Sequence, residues 1–369
     1  MNNYLQHGKV LVVYGPRQSG KTTLINHFLE DYKGRLYKGV GEDRVLCDIL
    51  ESRDLKRILS AFSDYQMIYI DEAQIINEIG TALKMIIDAR PDITIIATGS
   101  SSFDLANRIG EPLTGRMRTI TLFPLSVLEL RDHLGGMDIE TRLEELLIYG
   151  TYPEIFTTES SELKRELLIT LRDSYLLKDI LSIEKIKSAS LIFNLLKLLA
   201  FQIGNEVSLN ELSGTLGIAK QTVERYLDIL EKGFVICRVN GFSRNLRKEV
   251  TSTARYYFWD NGVRNAIINN FNQISSRDDI GALWENFLFM ERWKTNSYHG
   301  KHTSRYFWRT YDGKEIDLIE EYDGRLAGYE FKWSSKKKKE PALWKSTYPD
   351  ASWNLISRDL WLPFVCGEE

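Results

Sequence analysis

Hydrophobic and polar positions change their period along this chain in a way that sorts it into segments. Val10 to Val13 is a continuous apolar run of the kind found in a strand buried on both faces. Leu24, Ile25, Phe28 and Leu29 then recur at helical spacing. Met67–Ile70 and Ile93–Ala97 are two more short apolar runs, each followed by polar residues. Arg44 to Ile49 is expected as a further strand, and Asp54 to Phe62 and Ile79 to Ala89 as helices, the last stopping before Pro91. Strand and helix alternate here as in βα units, which predicts a mostly parallel sheet over residues 1–125.

From 126 to 205 the pattern is wholly helical, with Leu143, Leu146, Leu147 and then Leu163, Leu167, Leu168, Leu171 spaced by three and four. Tyr149-Gly-Thr-Tyr-Pro153 breaks the run, and Tyr175 to Ile183 continues it. Residues 206–259 predict a winged helix-turn-helix. Ser208 and Glu211 form a capping box opening a helix to Leu216, and Gly217 makes the turn. Ala219 to Lys232 is the second helix; Phe234–Val239 and Arg255–Trp259 are strands around a wing bearing Arg244, Arg247 and Lys248. All eight tryptophans lie between Trp259 and Trp361, which predicts a separate core over 260–369. The expected architecture is therefore α/β and multidomain.

Near the C-terminus Glu315 to Tyr322 alternates at period two, Asp323-Gly324 supplies a two-residue hairpin turn, and Arg325 to Trp333 returns. That register sets Asp317 opposite Glu330 and Glu315 opposite Lys332, all on one face. Acids facing each other destabilise a hairpin. A divalent metal on Asp317 and Glu330 would remove the cost, and Lys332 beside it could stabilise charge developing on a phosphodiester. The structural alternative is a Glu315–Lys332 ion pair on a solvated hairpin. Glu285, in an otherwise core-like helix, could add a fourth carboxylate, and Lys336–Lys339 could hold phosphates or be a solvated run.

The first apolar run leads into Gly15-Pro16-Arg17-Gln18-Ser19-Gly20-Lys21-Thr22-Thr23. Strand, G-x-x-x-x-G-K-[ST] and helix in that order form a phosphate cradle. Lys21 would reach the β- and γ-phosphates and Thr22 would hold Mg²⁺. Asp71 and Glu72 end the next buried strand, where Asp71 would complete the metal shell and Glu72 would orient or activate the attacking water. Thr98 or Ser100 would sense the γ-phosphate. Among Arg108, Arg116 and Arg118, Arg116 is the preferred arginine to reach that phosphate, within the chain or from a neighbour in a homo-oligomer. ATP or GTP is the implied ligand.

Composition narrows the class. At 369 residues the chain exceeds one ordinary core, and 43% hydrophobic with 27% charged residues is globular. A net charge of −3 gives no global attraction to nucleic acid, so a DNA contact must be local. Cys47, Cys237 and Cys366 have no metal-like spacing, and the greasiest run, 188–204, is broken by Lys197. These features point to a reducing, cytoplasmic setting and no membrane.

Taken together, GPRQSGKTTL, IYIDEAQ, ATGSSS, LTGR with LFPLSVLEL, YGTYPE, WENF and EIDLIE with YEFKW resemble a family of prokaryotic AAA-type ATPases. The resemblance spans nearly the whole chain. It implies an ATPase domain using ATP and Mg²⁺ at Gly15–Thr22, Asp71 and Glu72. It further implies helical and winged-helix segments and a C-terminal domain similar to PD-(D/E)xK nucleases, with Asp317, Glu330 and Lys332 as its core and Mg²⁺ or Mn²⁺ as its metal. DNA is the implied partner. The nuclease-like domain is expected either to cleave or to serve as an inactive scaffold for an ATP-dependent switch.

Overall fold

The computed structural model describes residues 4–99, 113–176, 189–243, 253–310, 313–334 and 337–368. The chain divides into two compact units, Met1–Pro124 with Lys232–Phe234, and Leu125–Glu231 with Val235–Glu369.

The first unit is built on a five-stranded parallel sheet of β1 (Val10–Tyr14), β2 (Leu36–Val40), β3 (Met67–Asp71), β4 (Thr94–Gly99) and β5 (Met117–Thr121), in the order β2-β3-β4-β1-β5. β1 is an interior strand, buried on both sides, which explains its unbroken apolar run. Val10, Val12 and Tyr14 join one core, and Leu11 and Val13 join the other with Ile25 and Leu29 of α1 (Lys21–Glu30). The opposite face is covered by α2 (Arg44–Leu50), α3 (Leu55–Ala61) and α4 (Ile79–Ala89).

One expected strand is wrong. Residues 44–49 are helical, because the Asp43 side chain accepts from the Val45 and Leu46 amides and starts α2. Leu46 and Leu50, four apart, are its buried positions. The strand belonging to this βα unit is β2, whose mixed polar sequence suits a sheet edge.

The second unit opens with short helices α5 (Val127–Leu134), α6 (Gly136–Thr141), α7 (Leu143–Tyr149), α8 (Pro153–Thr157) and α9 (Ser161–Leu171), then α10 (Ala189–Phe201). β6 (Glu206–Val207), α11 (Leu209–Leu216), α12 (Lys220–Lys232), β7 (Ile236–Gly241) and β8 (Ala254–Phe258) follow. Then come α13 (Asn261–Ile268), α14 (Ile280–Tyr298), β9 (Ser304–Arg309), β10 (Glu315–Tyr322), β11 (Arg325–Phe331), α15 (Ala342–Thr347), β12 (Ser352–Ile356) and α16 (Trp361–Cys366).

The strands on either side of residue 260 form one seven-stranded sheet, β12-β11-β10-β9-β7-β8-β6. The seam is a short parallel pairing, Asn240 with Tyr306 and Gly241 with Phe307. The tryptophan-rich segment does build its own cluster, around Trp308, Trp344 and Tyr348. Its sheet, however, continues into the strands before it. Among the described residues no helix is long and apolar enough to cross a membrane.

Two candidate sites, one in each unit

At the carboxyl end of β1 the chain must turn past Leu122, the residue that follows β5. A Cβ on Gly15 would lie 2.0 Å from the Leu122 carbonyl oxygen, so only glycine permits the approach. Gly20 has φ of 93° and starts α1 without a side-chain cap, leaving its first amides for another acceptor. Lys21 and Ser19 are buried, while Gln18 and Thr23 are exposed. The Lys21 ammonium donates to the carbonyls of Gly15 at 3.0 Å and Pro16 at 2.7 Å, which holds it against the loop.

From this loop a chain of hydrogen bonds runs along the strand ends. Thr22 Oγ1 donates to Asp71 Oδ2 at 2.9 Å. Thr98 Oγ1 donates to Asp71 Oδ1. The Glu72 amide donates to Asp71 Oδ1 at 3.2 Å and to Thr98 Oγ1 at 3.3 Å. Glu72 itself is left-handed, with φ of 49°, a backbone state that costs energy outside glycine. Gln74 Nε2 donates to its carboxylate. Thr22 and Asp71 together offer hard oxygens at the phosphate end of the loop, the donor chemistry that fits Mg²⁺.

Arg116 is not part of this cluster. It immediately precedes β5, and its carbonyl accepts from the Val10 amide, so it lies at the amino end of the strands, away from the loop. Its guanidinium pairs with Asp88 at 2.6 Å. The expectation that it reaches the γ-phosphate within the chain is therefore corrected. Ser100 and Arg108 lie outside the described residues.

In the second unit the Asp323-Gly324 turn gives the expected register, with Leu318 opposite Tyr329 and Tyr322 opposite Arg325. On its other edge β10 carries an extra residue between Ile316 and Ile319 relative to β9. Such a bulge re-aims side chains, and it spans Asp317 and Leu318. Asp317 and Glu330 are both buried. Asp317 Oδ2 accepts from the Phe331 amide at 2.8 Å. Glu330 Oε1 meets Lys332 at 2.7 Å and also Lys338, while its Oε2 is buried without a hydrogen-bond partner among the described residues.

The residue that sequence reading missed is Arg255 on β8. Its guanidinium donates to Glu315 Oε2 at 2.8 Å and Glu285 Oε1 at 3.3 Å, and lies 3.9 Å from Asp317 Oδ1. Tyr257 also donates to Glu285 Oε1, at 2.6 Å. The alternative Glu315–Lys332 pair does not form; Glu315 pairs with Arg255 and Lys332 with Glu330. Burial, then the neighbouring Glu285 and Glu330, push the Asp317 carboxyl well above its ordinary range. Burial works against the charge of Arg255, but Tyr257 and the carboxylates around it win and raise it. Among the described residues no group of three or more His, Cys, Asp or Glu side chains is arranged to hold a metal ion.

Comparison with known proteins bears on each part separately. Residues 7–131 match the family model of an AAA domain. The first unit is a P-loop domain of the AAA type. Residues 140–274 and 280–351 match two domains of unknown function, DUF8612 and DUF4143. An uncharacterized protein of Mycobacterium tuberculosis is 28% identical over 343 residues, covering 90% of this chain and 72% of its own. Uncharacterized proteins of Haemophilus influenzae (26%, 69% and 68%) and Methanocaldococcus jannaschii (24%, 77% and 66%) are also similar. Among solved structures, a Thermotoga maritima RuvB mutant aligns at 18% identity over 63% of this chain and 82% of its own. Its TM-score is 0.28, too low to bear on the fold.

A signal for Arg255 was present in the sequence. It is the one charged residue in Ala254–Phe258, a strand whose five residues are all buried. A buried guanidinium requires carboxylate partners, and Glu285, Glu315 and Asp317 supply them. The expected wing residues Arg244, Arg247 and Lys248 lie outside the described residues, as does Lys336.

Proposed function

We propose that this chain is an ATP-hydrolysing P-loop switch that associates with DNA, and that its C-terminal nuclease-like fold serves as a scaffold. The observation carrying the ATPase reading is the Thr22–Asp71–Thr98–Glu72 chain at the mouth of the phosphate loop. In this reading Lys21 holds the β- and γ-phosphates, Thr22 and Asp71 hold Mg²⁺, and Thr98 reports on the γ-phosphate. The metal supplies charge neutralisation when bound. Glu72, set by its left-handed backbone and by Gln74, orients water for attack. The proposal divides the chain into the ATPase domain (1–125), a helical connector (126–205), a winged helix (206–259) and the nuclease-like domain (260–369).

DNA enters through α12. Its exposed first turns carry Lys220, Gln221 and Arg225, where a recognition helix would meet phosphates and bases. Glu224 and Asp228 are exposed on the same helix and would limit its affinity. A second reading, an ATP-coupled metal-dependent nuclease, draws support from Asp317, Glu330 and Lys332 meeting on one hairpin. The guanidinium among the acids favours the scaffold.

ATP turnover tests the central claim. Lys21→Ala should abolish nucleotide binding, and Glu72→Gln should bind ATP yet hydrolyse it poorly. Unchanged affinity in the first, or normal turnover in the second, would reject the assigned role. A cleavage assay on DNA and RNA with Mg²⁺ or Mn²⁺ separates scaffold from nuclease: cleavage lost in Asp317→Ala/Glu330→Ala would revive the second reading.

A further inference from the structure

Four carboxylates from three segments converge beside the hairpin: Glu285 from α14, Glu315 and Asp317 from β10, and Glu330 from β11. Buried carboxylates must either be paired with cations or give up their charge by holding a proton. Lys332 and Lys338 serve Glu330. The other three share one guanidinium.

That guanidinium is fixed in three ways. Arg255 sits inside the ladder, paired with Val239 on one side and Glu206 on the other. Its charged plane lies over the Phe307 ring, 4.5 Å from the centroid. Two of its nitrogens are held by carboxylates. Arginine, unlike lysine, does not lose its proton to make room for a second cation. A divalent ion entering beside Asp317 would meet a fixed positive charge and would have to take carboxylates already engaged by it.

We propose that Arg255 is the resident cation of this cluster, occupying the electrostatic role of a hard divalent metal, so that the cluster takes such a metal only when the guanidinium is removed. The inference rests on reading Asp317, Glu330 and Lys332 as a nuclease-like set. It accounts for two observations together: carboxylates of the right chemistry, and no group of three among the described residues arranged around a common ion site. The buried, unpaired Glu330 Oε2 is the acceptor the arginine does not reach.

The test is Mn²⁺ binding to the full chain without nucleotide, by calorimetry and by the electron paramagnetic resonance of free Mn²⁺. Subtracting the same measurement on Asp317→Asn removes ions bound elsewhere. The wild type should show no cluster-bound ion. Arg255→Gln, which keeps hydrogen-bond donors and drops the charge, should gain one cluster-bound ion per chain that the wild type lacks. Adding Asp317→Asn should abolish the gain. A cluster-bound ion in the wild type would overturn the role of Arg255 while leaving the nuclease-like reading intact. No ion in a folded Arg255→Gln would overturn both. Should Arg255→Gln not fold, the comparison of wild type with Asp317→Asn still decides: a difference in Mn²⁺ binding refutes the proposal, and identity supports it.

Discussion

Gly41 follows β2, and its amide donates to the Asp71 carbonyl at 2.8 Å. A Cβ placed there would stand 2.2 Å from the Glu72 carbonyl oxygen, and side-chain carbons essentially never approach closer than 3.0 Å. Gly41→Ala must therefore move the Glu72 peptide by about 0.8 Å, since the obstacle is backbone. Lys21, Thr22 and the Gly15–Gly20 loop are not in that contact. A misplacement near 1 Å of a catalytic group costs roughly 100-fold in rate. The expected result is kcat for ATP lowered by about two orders of magnitude, with nucleotide affinity unchanged within about twofold. Steady-state hydrolysis and equilibrium binding of a fluorescent ATP analogue give the two numbers. Full turnover in Gly41→Ala would refute the claim that the position of Glu72 sets the rate. Equal loss of affinity and rate would instead place Gly41 in nucleotide binding.

Other expectations concern the second unit. Asp260 accepts from the Thr151 amide at 2.7 Å and the Val263 amide at 3.0 Å, both buried, so Asp260→Ala should cost about 3–5 kcal/mol of stability in urea titration. Asp317, ordinarily near 3.8, is raised in the fold, so the folded form binds its proton more tightly than the unfolded chain. Its contribution to stability is present below the ordinary value and falls as pH rises toward the raised one. Asp317→Asn should flatten that decline in thermal melts; an unchanged slope would discount the shift. For DNA, Lys220→Ala plus Arg225→Ala should reduce the slope of log affinity against log salt by up to about 2. An unaltered slope would remove α12 from the interface.

What could be read from the sequence was local or fixed by a turn. The phosphate loop needs contiguous residues in one order, and the Asp323-Gly324 turn dictates every cross-strand pair of its hairpin. Arg44–Ile49 misled because its β-branched and aliphatic residues suit a strand, while the deciding atom is the side chain of Asp43 before it. Arg116 misled because distance along the chain does not reveal which end of a parallel strand a residue occupies. Arg255 meets its acids across 30 to 62 positions of sequence, and no periodicity records such a contact. The buried network around Asp260, Thr151, Glu291 and Lys294 was equally silent, since YGTYPE reads only as a helix breaker.

The parallel seam between β7 and β9 bears on how the protein can be taken apart. Cutting the chain near residue 260 separates the tryptophan-rich core from the strands before it, as composition invites. It also strips β7 and β9 of their mutual neighbour and bares a row of amides and carbonyls on each fragment. Unprotected edges of this kind recruit one another. Fragments divided there should self-associate or precipitate, whereas a division near Pro124 leaves both sheets whole.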